Sequence, residues 1–230
     1  MSIIKIIHNL KHLLESEKLF GIKEIILSKQ YSQKKNEINK QEARSLLELL
    51  KIKISDCDKC EGINNKKNKI FGDGPINARI MFIGDDSPDE NDSGSLPFQG
   101  EARKLLTKII AAMGLTKEDV YITTILKCRT KEHHSPKDEE IKHCALHLEQ
   151  EIEIVKPQAI CVLGNTATTL LLKKESRISD IHGKFFDYNG IKVMPTYHPS
   201  YLLKHPSSKK DVWEDMKKIS DYLGIIIPLS

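Results

Sequence analysis

Arg79-Ile-Met-Phe-Ile-Gly84 is a short, unbroken apolar run that ends at glycine, and Val120-Tyr-Ile-Thr-Thr-Ile-Leu126, Ala159-Ile-Cys-Val-Leu-Gly164 and Ile191-Lys-Val-Met-Pro195 repeat the type. Runs of this kind suit strands buried on both faces. Between them lie stretches with helical spacing, residues 101–113, 137–155 and 166–174, each long enough to be a crossover. Strand and helix in alternation predict an α/β fold, a three-layer α/β/α sandwich with a central, mostly parallel, four-stranded sheet. In such a sheet functional loops gather at the carboxyl ends of the strands. Here those are the segments that start at Gly84, Lys127, Gly164 and Thr196.

Outward from the strands, the composition fits one globular domain with a terminal extension. The chain has 230 residues, 39% hydrophobic and 30% charged. That excludes disordered and collagen-like classes, and no apolar run approaches the roughly 18 to 20 residues needed to span a bilayer. The net charge of +4 permits a polyanionic partner without identifying one. At the N-terminus Ile3, Ile6, Ile7, Leu10, Leu13 and Leu14 recur at helical spacing, while Lys29 to Asn39 is polar and aperiodic. Residues 1–40 therefore read as a helical extension with a linker, and residues 41–230 as the main domain. The apolar stripe needs cover, either from the domain itself or from a partner protein. The opening residues lack a long apolar region and a small-residue cleavage site, which points to the reducing cytoplasm.

In that compartment five cysteines need an explanation other than disulfides. Cys57-Asp-Lys-Cys60 is a C-x2-C pair, Cys128 and Cys144 add two thiols, and Cys161 sits inside an apolar run as a core residue. A cytosolic C-x2-C with two further cysteines points to metal, and four thiolates suit zinc or an iron-sulfur cluster equally.

Cys57-x2-Cys60, Gly84-Asp-Asp-Ser-Pro88, Leu96-Pro-Phe-Gln-Gly100, Tyr121-Ile-Thr-Thr-Ile-Leu-Lys-Cys-Arg129, Cys144, Val162-Leu-Gly164 and Thr196-Tyr-His-Pro-Ser-Tyr-Leu-Leu203 follow one another in a recognisable order. Over residues 50 to 220 the sequence resembles the family 4 uracil-DNA glycosylases. The resemblance implies a uracil-DNA glycosylase fold with a structural [4Fe-4S] cluster on Cys57, Cys60, Cys128 and Cys144. It also implies base-excision repair on DNA, single- or double-stranded, by a monomer that hydrolyses the N-glycosidic bond of uracil or another deaminated base. A repair or replication protein is a candidate partner for the extension.

Such an enzyme must turn its target nucleotide out of the stack. Bond cleavage then leaves positive charge on the sugar and negative charge on the base, so a carboxylate and a hydrogen-bond donor both favour the transition state. By resemblance Asp85 and His198 take these catalytic places. Gly84, Asp86, Phe98 and Thr124 fall at substrate-binding positions, with Phe98 stacking on the flipped base. Gly100, Gly164, Asn165, Ser200, Tyr201 and Lys204 fall at positions that contact DNA.

Two departures bear on activity. The family motif Gly-Glu-x-Pro-Gly reads Gly84-Asp-Asp-Ser-Pro88 here, which shortens the carboxylate by one methylene. The Asn that reads the uracil edge is replaced by Thr124, whose single hydroxyl stands for a paired donor and acceptor. Together they raise an alternative, an iron-sulfur DNA-binding homologue with weak or absent cleavage. A minor alternative is a covalent uracil-DNA-binding protein that uses His133, where a related branch places a histidine that traps the sugar.

Overall fold

The structure, a computed structural model, describes residues 24–60, 69–85, 95–128 and 138–228, apart from the side chains of 24–39 and 138. Two units make up the chain, Met1–Ser45 and Leu46–Ser230. Helix α1, Glu24–Ser55, begins in the first and ends in the second. The stretch from Lys29 to Asn39, expected as a linker, is helical. Lys, Gln and Glu are good helix formers and neither Gly nor Pro interrupts them, so propensity carries a helix that has no apolar stripe to announce it. The stripe Ile3 to Leu14 lies outside the described residues.

The second unit is built on a five-stranded sheet in the order β2-β1-β3-β5-β4. Strand β1, Ile80–Gly84, pairs in parallel with β2, Val120–Thr124, and with β3, Ala159–Leu163; β3 pairs in parallel with β5, Ile191–Thr196. All residues of β1, β2 and β3 are buried, which is why these strands read as continuous apolar runs. Alternation still shows in the layers. Ile80, Phe82 and Cys161 pack on one face with Leu106 and Ile110 of α2 (Gly100–Ala112) and with Val212, Met216 and Ile219 of the C-terminal helix Lys209–Leu223. Met81, Ile83, Ile160 and Val162 pack on the other with Leu148 and Ile152 of α3 (Asp138–Val155) and Ala167 and Leu171 of α4 (Asn165–Leu172). The result is the expected three-layer sandwich.

The sheet has five strands rather than four. Strand β4, Phe186–Tyr188, runs antiparallel to β5 at the edge. Asn189 and Gly190 join the pair with φ of 50° and 85°, the positive-φ two-residue turn that Asn-Gly favours. Three residues, two partly buried around an exposed Asp187, are too short a period to mark the strand.

The topology locates the crevice. From central β1 the chain moves outward to β2, then crosses back to β3 on the other side, so the carboxyl ends of β1 and β3 flank a switch point where open α/β sheets bind ligands. Asp85 follows β1, Gly164 follows β3, and His198 follows β5.

Candidate functional site

A cleft of about 610 Å³ opens at this switch point, lined by Asp85, Gly164, Asn165, His198, Ser200 and Tyr201 among others. A short helix, α5, Pro199–Lys204, starts on its wall with His198 as the N-cap. The ring accepts a hydrogen bond at Nδ1 from the Ser200 amide at 3.2 Å, with the Ser200 hydroxyl 2.7 Å away. A backbone amide can only donate, so Nδ1 holds the lone pair and the proton sits on Nε2. That nitrogen donates to the backbone carbonyl of Asp85 at 3.1 Å. Burial pulls the His198 pKa down to about 4, so the imidazole is neutral at pH 7 and presents one N–H toward the cleft.

The Asp85 side chain is half-buried, and its Oδ1 is shut off from water with no hydrogen-bond partner. Loss of water raises its pKa to about 6, against the opposing pull of the Thr166 hydroxyl and Ala167 amide at the start of α4. The carboxylate places negative charge beside the cleft, and the neutral imidazole can turn its Nε2–H from the Asp85 carbonyl to an incoming carbonyl oxygen.

Gly84, Phe98 and Thr124 lie behind the cleft wall. The Phe98 ring is buried in the core and stacks on His198 with centroids 5.2 Å apart. A Cβ on Gly84 would fall 2.6 Å from Phe98 Cζ, so β1 ends in glycine because the ring occupies that space. Thr124 is fully buried and its hydroxyl donates to the Leu126 carbonyl at 2.5 Å. Asn165 accepts from the Ile178 amide at 2.7 Å, while Gly100 and Lys204 are exposed at helix ends. Asp86 and His133 lie outside the described residues. The sequence reading missed Tyr197, whose ring stacks on Tyr201 at 5.2 Å and 13°, and Arg177, which also lines the cleft. Tyr201 in turn stacks on His205 at 4.2 Å. The i, i+4 spacing of Tyr197, Tyr201 and His205 was the available signal; Arg177 had none.

On another face Cys57, Cys60, Cys128 and Cys144 line one small cavity with Lys69, Lys127, His143 and His147. The C-x2-C pair follows α1, Cys128 follows β2, and Cys144 lies on α3. Three of these thiols are buried and Cys57 is partly so. Burial pushes Cys144 up to about 11 and raises Cys60 and Cys128 as well. Two N–H groups point at sulfur: the Lys127 amide at Cys144 and the Lys69 ammonium at Cys128, each 3.4 Å away. The His143 Nδ1 is buried without a partner. Among the described residues no three ligating side chains are gathered around a single ion. Cysteines that share one cavity with N–H donors on their sulfurs fit a cubane, where each thiolate takes a different iron. Cys161 is fully buried in β3, away from them.

An open α/β sheet with a carboxylate and a neutral histidine at its switch point has the layout of a small-ligand or base pocket. The match is specific: residues 71–217 fit the uracil DNA glycosylase superfamily, and the chain belongs to it. A type-4 uracil-DNA glycosylase of Saccharolobus solfataricus is 37% identical over 187 residues, 77% of this chain and 87% of that protein. One from Thermotoga maritima is 35% identical over 182 residues, covering 77% and 95%. The type-5 uracil-DNA glycosylase of Pyrobaculum aerophilum is 31% identical over 147 residues, covering 56% and 64%.

Proposed function

We propose that this protein is a uracil-DNA glycosylase of base-excision repair that acts on DNA in the cytoplasm. The observation that carries the reading is the orphan Asp85 Oδ1 in the same cleft as the neutral His198. Uracil turned out of DNA enters with its carbonyl oxygen at His198 Nε2, which exchanges the Asp85 carbonyl for the base. The bond from the sugar carbon to the base nitrogen breaks with its electron pair on the base, and His198 stabilises that charge. Asp85 stabilises the cationic sugar and orients the water whose oxygen bonds to it; the water proton passes to the carboxylate. Ser200 sets the imidazole, and Gly100, Gly164, Asn165, Tyr201 and Lys204 contact the strand. The four cysteines hold a [4Fe-4S] cluster that fixes structure and supplies no chemistry to hydrolysis.

Purified protein incubated with a uracil-containing single strand and then with alkali should yield cut strands. Removal of the donor in His198→Ala should lower the rate by roughly 10²- to 10³-fold. Intact strands for uracil, hypoxanthine and xanthine alike reject the reading. Protein purified without oxygen should be brown and contain iron; zinc with no iron rejects the cluster.

One observation favours the second reading, a DNA-binding homologue with little cleavage: the Thr124 hydroxyl hydrogen is already committed to Leu126. If Asp85→Glu with Thr124→Asn creates strong uracil cleavage from an inactive parent, that reading holds. A parent that cleaves well removes it.

A further inference from the structure

Lys69 is a lysine placed where lysines rarely go. The residue is 3% exposed, and its ammonium donates to the Cys57 carbonyl and to Cys128 Sγ, the latter at 3.4 Å. The backbone is pinned as well. Lys69 and Cys128 form an isolated antiparallel bridge, and the Ile70 amide donates to the Lys127 carbonyl at 2.9 Å. Deep burial of an ammonium costs several kcal/mol unless an opposite charge faces it. The other buried lysine of the cavity, Lys127, has the Glu151 carboxylate at 2.5 Å. Lys69 faces the thiols. Glu140, also buried, acts on Cys60 and Cys128 as a nearby negative charge, and four thiolates around a cluster add more.

We propose that Lys69 is the cluster's counter-cation, tying two ligand segments together through the Cys57 carbonyl and the Cys128 sulfur. The inference rests on the [4Fe-4S] reading and concerns how this chain tolerates and tunes that group. An N–H···S bond from a buried cation favours the more reduced, more negative cluster and so raises its reduction potential, while the link to Cys57 slows ligand release.

The test compares full-length wild type, Lys69→Met and Lys69→Arg, all purified without oxygen. Three quantities are read: iron per chain, the rate at which EDTA bleaches the visible absorbance, and the reduction potential. In Lys69→Met, bleaching should be roughly 10- to 100-fold faster and the potential lower, and Lys69→Arg should recover both. A packing role predicts the opposite order, since Met fits the space of the lysine stem and Arg does not. If Met purifies without iron and Arg with it, the charge is again required. Iron lost from both variants, or Lys69→Met equal to an iron-loaded wild type in bleaching and potential, overturns the proposal alone. A wild type without iron overturns the cluster and the proposal together.

Discussion

Asp85→Asn is expected to lower the rate of base excision by roughly 10²- to 10³-fold, since in the proposed mechanism it removes the charge that stabilises the cationic sugar. Stability should move the other way. Burial raises the Asp85 pKa from 3.8 to about 6, so the folded protein holds this proton more tightly than the unfolded chain. The contribution is fully present below about pH 4 and is lost as pH rises through about 6. At pH 7 to 8 the ionised side chain is therefore a cost, on the order of 1 to 2 kcal/mol once water at its outer oxygen is allowed for. The Asn variant should melt higher than wild type at pH 8 and show no gain at pH 4. The same shift sets the wild-type rate profile, which should climb with pH through about 6. His198, neutral above about 4, should add no falling limb between pH 5 and 8. An Asn variant of undiminished rate removes Asp85 from the chemistry.

The parts of the molecule legible in the sequence were those with a strong local pattern. Strands β1, β2 and β3 are buried on both faces, and that burial writes itself as unbroken apolar residues. The edge strand β4 is short and outside the buried layer, so its only local signal is the Asn189-Gly190 turn that joins it to β5. The polar helix over 29–39 has propensity without periodicity and read as a linker. At the site, Asp85 and His198 stand 113 positions apart, and only family order suggested that they meet. The tautomer of His198 was beyond sequence, because it depends on which ring nitrogen the Ser200 amide reaches. The Thr124 substitution could be named, but its bond to Leu126 is a matter of coordinates. Lys69 was the least visible. It ends the lysine-rich stretch Asn64-Asn-Lys-Lys-Asn-Lys69, which reads as solvated charge until the bridge to Cys128 turns one of these side chains inward.

Glu151→Ala should destabilise the unit by about 3 to 5 kcal/mol. Glu151 and Lys127 are 2% and 1% exposed, and Lys127 Nζ lies 2.5 Å from Glu151 Oε2. The Thr123 hydroxyl donates to the same oxygen at 2.7 Å and accepts from Lys127 at 2.6 Å, while the Tyr121 hydroxyl donates to Oε1 at 3.3 Å. Removal of the carboxylate strands an ammonium and two hydroxyls between β2 and α3 where water does not reach, and an unpaired buried charge costs far more than the pair gained. Denaturant melts should show the fall in midpoint. The double variant Lys127→Met with Glu151→Leu should recover most of it, because apolar groups of similar size need no partners. Position adds a second readout. The Lys127 amide donates to Cys144 Sγ and the next residue is Cys128, so a lysine that pulls toward solvent drags two of the proposed cluster ligands with it. Glu151→Ala should therefore lose iron as well as stability, and the double variant should regain both. A Glu151→Ala protein within 1 kcal/mol of wild type would mean that water reaches Lys127 and that the pair is not the anchor of the cluster loop.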